Sequence, residues 1–345
     1  MIQDRDWRWV DGERLVRYSP GAAHEAAELA ASRGLEGFAL LTTERAEQQA
    51  PALVAAAACV LHVPDGPVPE AAAAVRADVG GRPLVALGGG RVIDAAKAIA
   101  GADELPCAAV PTTLSGAPMT AIHRMPAGVE SWRLVRPSLV IADPKLMSSQ
   151  PEQARAASAM NAFAHAAESM YGPMANPLVY QAAMYAIGQL WRGLEWPDRD
   201  PEHRLAIGAI CAGYAVGSAG FALHHVVGQT LVRVTGAPHA RAYAVLLPHT
   251  LRAMVPRAPQ ALADIAAALV VQNAAHADPE RVAEHVPKRV AELAARSGAT
   301  RLSDLGVRPD QVGEVVAAIL ARPDLANTPD PPGETELREL LEAAL

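Results

Sequence analysis

An apolar run that ends in three consecutive glycines and continues at once as a helix leaves a chain few choices. Leu84-Val85-Ala86-Leu87 reads as a strand, Gly88-Gly89-Gly90 as a tight turn and residues 92–100 as a helix. Glycine carries no Cβ, so the backbone can turn sharply there and another group can approach it closely. The free amides at the start of the following helix then form an anion-binding end. The spacing is not GxGxxG, so the usual dinucleotide fingerprint is absent. Taken alone, the turn reads equally well as a phosphate cradle and as a strand–helix corner without a ligand. Both readings demand a βα unit, and repeated βα units build a parallel sheet covered by helices.

The first half of the chain repeats that unit. Residues 37–41, 59–63, 83–87, 108–111 and 139–142 read as strands, with alanine-rich helices such as 21–33 and 92–100 between them. After Asp143-Pro144 the pattern changes. From Gln153 onward nearly everything reads as helix, punctuated by Pro173, Pro177, Pro197, Pro201, Pro238 and Pro248. The expected organisation is an α/β domain with a Rossmann-like parallel sheet over 1–150, followed by an all-α domain over 151–345. A chain of 345 residues suits two domains of that kind.

Charge and composition exclude some partners. The net charge is −7, with Lys and Arg scattered among Asp and Glu, so the basic face of a nucleic-acid binder is missing. Residues 207–232 form the longest uncharged run, and a buried helix suits it better than a membrane span. Cys59, Cys107 and Cys211 are sparse and far apart, which suits a reducing cytoplasm without a disulfide framework. The polar stretch from Met1 to Asp6 does not read as a signal peptide.

The residues around the glycine turn sharpen the reading. Gly88-Gly89-Gly90-Arg91-x-x-Asp94-x-x-Lys97 resembles the GGGSxxDxxK signature of the iron-containing alcohol dehydrogenase superfamily, with its dehydroquinate synthase-like architecture. Pro111-Thr112-Thr113 is similar to that family's second nucleotide-contacting loop, and Asp143-Pro144-x-Leu146 to its hinge. Met160-Asn161-Ala162-Phe163-Ala164-His165-Ala166-Ala167-Glu168 is similar to the first helix of its metal site, and Leu246-Leu247-Pro248-His249 to a late element. Asn161 stands where the metal-dependent members have an aspartate, and in this the chain resembles the maleylacetate reductase branch. His62-Val63-Pro64, Met119-Thr120, Asn176-Pro177, His224-His225 and Pro238-His239-Ala240 agree with that branch. The resemblance runs from near Leu35 to the C-terminus.

It implies an NAD(P)H-dependent reductase, cytoplasmic and homodimeric, that passes a hydride to an activated carbonyl or enone substrate. Gly88, Gly89, Gly90, Arg91, Asp94, Thr112, Thr113 and Leu146 would bind NADH or NADPH. No Asp follows the strand before Thr42-Thr43-Glu44 to accept a ribose hydroxyl, so NADPH is permitted. Asn161, His165, His225 and His239 would line a catalytic cleft between the domains. In metal-bearing relatives an Asp at the position of Asn161 and histidines at the other three hold iron or zinc. Asn161 and His165 share a helix face. Without the carboxylate, His165, His225 and His239 either ligate zinc in an open site or hydrogen-bond in a polar pocket without metal.

Several positions depart from the pattern. Arg91 replaces a small Ser, and either pairs with a cofactor phosphate or fills the space the cofactor needs. Gln229 stands where the reductases have a histidine, which removes an imidazole relay. Pro118 replaces a Glu, and the family lysine is not evident in Gly128-Val129-Glu130-Ser131-Trp132-Arg133. Other residues then take those roles, His225 or His165 as acid and Arg241 or Arg133 for a substrate carboxylate. The alternative is a non-redox descendant of the fold that catalyses a cyclisation, elimination or other proton transfer. His24, His203, His276 and His285 read as surface or helix-face residues, while His62 and His249 match the family pattern without an assigned role.

Overall fold

The computed structural model describes residues 7–131, 133–269 and 278–345; Met1 to Asp6, Trp132 and His276 lie outside the described residues. The chain divides into two compact units, Met1–Gln150 and Pro151–Leu345.

In the first unit, strands β1 (Trp7–Asp11), β2 (Arg14–Tyr18), β3 (Ala39–Thr42), β4 (Cys59–His62), β5 (Leu84–Gly88), β6 (Cys107–Pro111) and β7 (Leu139–Ala142) build one sheet. Their order is β1-β2-β7-β6-β5-β3-β4, parallel throughout except for the antiparallel β1–β2 hairpin. Helices α1 (Ala26–Ser32), α2 (Glu44–Glu47), α3 (Pro51–Ala55), α4 (Val68–Val79), α5 (Gly90–Asp103) and α6 (Pro144–Met147) occupy the connections. The sheet is apolar on both sides, because alternate residues of each strand feed different clusters. Ala39, Leu41, Leu84 and Ala86 pack with α4 and α5 on one side. Leu40, Val85 and Leu87 pack with Leu29 and Leu53 on the other.

That topology fixes where a ligand can be read. The chain leaves β3 toward β4 and leaves β5 toward β6, on the opposite side. The connections therefore part between β3 and β5, the switch point at which parallel sheets open a crevice beyond their C-terminal ends. Register places Leu41 beside Ala86 and Gly88 beside Pro111. The residues after β3, the glycine turn and Thr112 thus share one edge of the sheet. The β1–β2 hairpin extends the sheet beyond the five strands expected from sequence. Its turn contains Gly12 at φ +61, a backbone position that glycine occupies without strain.

The second unit is helical: α7 (Glu152–Ser169), α8 (Pro177–Glu195), α9 (Pro201–Ala219), α10 (Leu223–Thr235), α11 (His239–Met254), α12 (Pro259–Ala268), α13 (Pro279–Ala283), α14 (His285–Ala294), α15 (Val312–Leu320) and α16 (Glu334–Ala344). Two expectations need correction. The single helix expected over 207–232 is two, because α9 and α10 meet at a 97° bend. Gly220 makes the corner at φ +79. No single described helix is long and apolar enough to cross a membrane. Pro248 does not punctuate; it lies inside α11. An interior proline costs a helix about 3 kcal/mol, but Leu246, Leu247 and Leu251 around it are buried, and their packing carries the helix through.

Candidate functional site

The glycine turn owes its glycines first to the chain's own close packing. A Cβ on Gly88 would lie 2.7 Å from Val92 Cβ, one on Gly89 2.9 Å from Thr113 Cγ2, and one on Gly90 2.6 Å from Ser115 Oγ. Thr113 and Ser115 therefore press directly against the start of α5. The Thr112 N–H donates to the Gly88 carbonyl at 2.9 Å and joins the two loops. No side chain caps α5, and no acidic residue occupies its first turn. Its leading amides keep their positive end available for an anion.

Other signature residues make contacts within the chain. Lys97 is fully buried, and its Nζ donates to Asp94 Oδ1 at 2.8 Å, the Ala117 carbonyl at 3.1 Å and the Ile122 carbonyl at 2.7 Å. Asp94 and Lys97 thus pin the loop that follows Thr113. Arg91 pairs with Asp65 beyond β4 at 2.5 Å. Leu146 packs its side chain into the apolar cluster of the sheet. Sequence reading passed over Arg45, whose Nη2 donates to Thr112 Oγ1 at 3.1 Å and Nη1 to Ser149 Oγ at 3.2 Å. It lies outside every motif, and only the register of β3 against β5 shows where it falls.

In the second unit α7 carries Asn161 and His165 on one face, and the start of α10 carries His225. The imidazoles of His165 and His225 stack with centroids 4.5 Å apart and planes 14° apart. Phe221 stacks on His225 at 4.4 Å. His239 begins α11 and lies against Tyr243 at 4.2 Å, and Tyr243 in turn meets the edge of His225 at 5.2 Å. Gly228 makes room for that phenol ring, since a Cβ there would lie 2.7 Å from Tyr243 Cε2.

Glu168, one turn beyond His165 and with no exposed surface, organises the cluster. Ala222, at the N-cap of α10, offers no side-chain cap. Glu168 Oε1 replaces it, accepting the His224 N–H at 2.6 Å and the His225 N–H at 3.3 Å. Oε2 is left for a short hydrogen bond with His225 Nδ1. Burial pushes the Glu168 carboxyl up to about 7, against the pull of His224 and the backbone donors. Burial also holds His165 and His225 neutral, well below the ordinary histidine range. His224 is lowered to about 3 by burial and then by His225, and its Nδ1 is engaged with Thr250 Oγ1 at 2.9 Å. Asn161 Oδ1, His165 Nδ1, His225 Nε2, His224 Nε2 and Tyr243 Oη are buried without a hydrogen-bond partner. Such atoms are rare in folded proteins, and a group of them around one ring cluster marks a place for polar atoms of a ligand or for water.

The remaining departures find local partners. Gln229 Oε1 accepts from Arg322 Nη2 at 2.9 Å. Arg14 of β2 donates to the Pro118 and Met119 carbonyls at 3.3 and 3.4 Å, and burial lowers it to about 10. Arg133 pairs with Glu104 at 3.2 Å, whereas Arg241 is half-buried on α11 near His239. His62 is paired with Glu47 at 2.6 Å. His203, expected on a surface or a helix face, lies on a buried face of α9.

The family's iron or zinc does not fit this arrangement. Lone pairs of two nearly parallel, stacked imidazoles lie in separate planes and do not converge on one ion. Asn161 supplies no charge, and Glu168 is taken up by α10 and His225. Among the described residues, no three His, Cys, Asp or Glu side chains gather as a metal site. A dinucleotide phosphate does fit the uncapped start of α5.

Comparison with known proteins places both units. The model described as "Iron-containing alcohol dehydrogenase" matches residues 17–151, and that described as "Fe-containing alcohol dehydrogenase family, C-terminal" matches residues 155–345. A maleylacetate reductase of Sphingobium indicum is 32% identical over 346 residues, covering 97% of this chain and 90% of the relative. Maleylacetate reductase 2 of Cupriavidus pinatubonensis is 39% identical over 219 residues, which is 61% of either chain. The crystal structure of maleylacetate reductase from Agrobacterium tumefaciens superposes with a TM-score of 0.82 at 28% identity, over 100% of this chain and 99% of that one. These relatives are reductases by name, and nothing among them supports the non-redox alternative.

Proposed function

The chain belongs to the iron-containing alcohol dehydrogenase family, in its maleylacetate reductase branch, and is an oxidoreductase; from that premise we propose that it reduces an activated carbonyl or enone substrate of the maleylacetate kind with NADH or NADPH. The observation that carries this reading is the group of partnerless buried polar atoms around a histidine held by a buried carboxyl. A reductase of this kind needs a cofactor seat and a proton source, and the chain holds one of each.

In the first unit, the open amides of α5 with Gly88, Gly89, Gly90 and Thr113 would hold the cofactor's phosphates, and Arg91 would reach them from the same helix end by exchanging its pairing with Asp65. When bound, the reduced nicotinamide supplies the hydride. In the second unit, Glu168 and His225 share a proton between Oε2 and Nδ1. His225 Nε2 gives its own proton to the substrate, and the shared proton moves onto Nδ1 behind it. Glu168 is left as a carboxylate, stabilised by the His224 and His225 N–H groups and by the start of α10. Asn161 Oδ1 and His165 Nδ1 orient the substrate's polar groups, while Phe221 and Tyr243 wall the site. His239 stands at its exposed rim.

Oxidation of NADPH or NADH by the protein in the presence of maleylacetate is the direct assay. Turnover should occur, and His225→Ala should lose at least about a hundredfold in kcat, the scale of a missing general acid. Failure to oxidise either cofactor with maleylacetate or simpler enones would sink the reading. The same resemblance leads us to a homodimer, which predicts twice the chain mass in sedimentation equilibrium.

A further inference from the structure

We infer that Arg45 selects a nicotinamide dinucleotide bearing a 2′-phosphate, an assignment that rests on the cofactor seat proposed for the first unit. Beyond the C-terminal end of the strand beside the glycine strand, an Asp or Glu meets a free ribose 2′-OH, whereas an Arg meets a 2′-phosphate. In this sheet that strand is β3, and the residues following it are Thr43, Glu44 and Arg45. Thr43 Oγ1 is turned inward, accepting the Ala46 N–H at 3.4 Å.

Arg45 is exposed, yet it is held in place. Its two terminal nitrogens donate to Thr112 Oγ1 at 3.1 Å and Ser149 Oγ at 3.2 Å. Ser149 Oγ is itself fixed by donating to Gln49 Oε1 at 3.0 Å. Thr112 is joined through its N–H to the Gly88 carbonyl, so the guanidinium stands two hydrogen bonds from the glycine turn. Both of its partners are neutral hydroxyls, which leave its charge uncancelled. Glu47, on the same short helix, is paired with His62, and no ion pair to Arg45 is found among the described residues. A cationic fork fixed in advance by neutral groups, at the edge where the ribose falls, is suited to a phosphate that accepts two parallel hydrogen bonds.

Fluorescence titration with NADPH and NADH, on the native protein and on Arg45→Ala, tests the assignment, with calorimetry of adenosine 2′,5′-bisphosphate and ADP as a readout free of turnover. The native protein should prefer NADPH and the 2′,5′-bisphosphate. Arg45→Ala should lose about tenfold or more of its affinity for both, the loss expected for a charged hydrogen-bond pair, and Arg45→Lys should recover part of it. Equal losses for NADPH and NADH would move Arg45 to the shared pyrophosphate and overturn the assignment. A native preference for NADH, with Glu44 taking the ribose hydroxyls, would overturn it as well. Binding of neither cofactor would instead remove the cofactor seat on which the assignment rests.

Discussion

At the scale of single residues, the proposed chemistry turns on Glu168 and His225. A carboxyl with no exposed surface is costly when charged, and burial accordingly raises it to about 7. A raised carboxyl keeps its proton below that value and gives it up above. If the pair is the proton source, kcat falls as pH rises through about 7. Glu168→Gln keeps an oxygen for the α10 amides and removes the titration. It should lower kcat about a hundredfold with little change in KM, and abolish that alkaline limb. A pH–rate profile unchanged in Glu168→Gln would assign Glu168 to capping alone. Glu168 is visible in the sequence as the last letter of a family motif, but its partner lies 57 residues away, and no periodicity announces a contact of that range.

At the scale of elements, the site depends on how α10 starts and what lies against it. Glu168 caps α10 from another helix, while Gly228, one turn on from His225, lets Tyr243 of α11 close against it. Gly228→Ala places a methyl 2.7 Å from the phenol ring. Ring and helix must then shift, at an expected cost of about 1–3 kcal/mol in urea denaturation, and activity should fall by more than the stability loss explains. Full activity with unchanged stability would show that Tyr243 is not packed as described. Five of the seven strands were legible because each is a short apolar run bounded by turn residues, whereas β1 and β2, interrupted by Arg8, Arg14 and Arg17, were not. The bend at Gly220 was not, because the apolar composition runs across it without a break and only the backbone angle reveals the corner. Pro248 misled for the opposite reason, a local breaker overruled by buried neighbours.

At the scale of the whole molecule, the buried histidines tie stability to pH. His165, His224 and His225 stay neutral when folded, but bind protons below about 6.5 once unfolded. Glu168 acts the other way, keeping when folded a proton that the unfolded chain releases above 4.5. From these groups the unfolded chain holds about two more protons than the folded one between those values, three gained less one. Stability should therefore decline as pH falls from about 6.5 toward 4.5, measured as a falling thermal midpoint; a flat midpoint across that window would contradict the burial of these rings. The division into an α/β half and a helical half, and the family itself, could be read from ordered motifs spread along the chain. The roles of Arg45, Lys97 and Glu168 could not, since each is set by partners that folding alone brings near. The account as a whole stands on the first unit binding a reduced nicotinamide cofactor at the glycine turn. Titration of the purified protein with NADH and NADPH, followed by cofactor fluorescence, measures this directly. The prediction is a saturable change with a dissociation constant between roughly a micromolar and a millimolar, and no change at millimolar concentrations of either cofactor would contradict it.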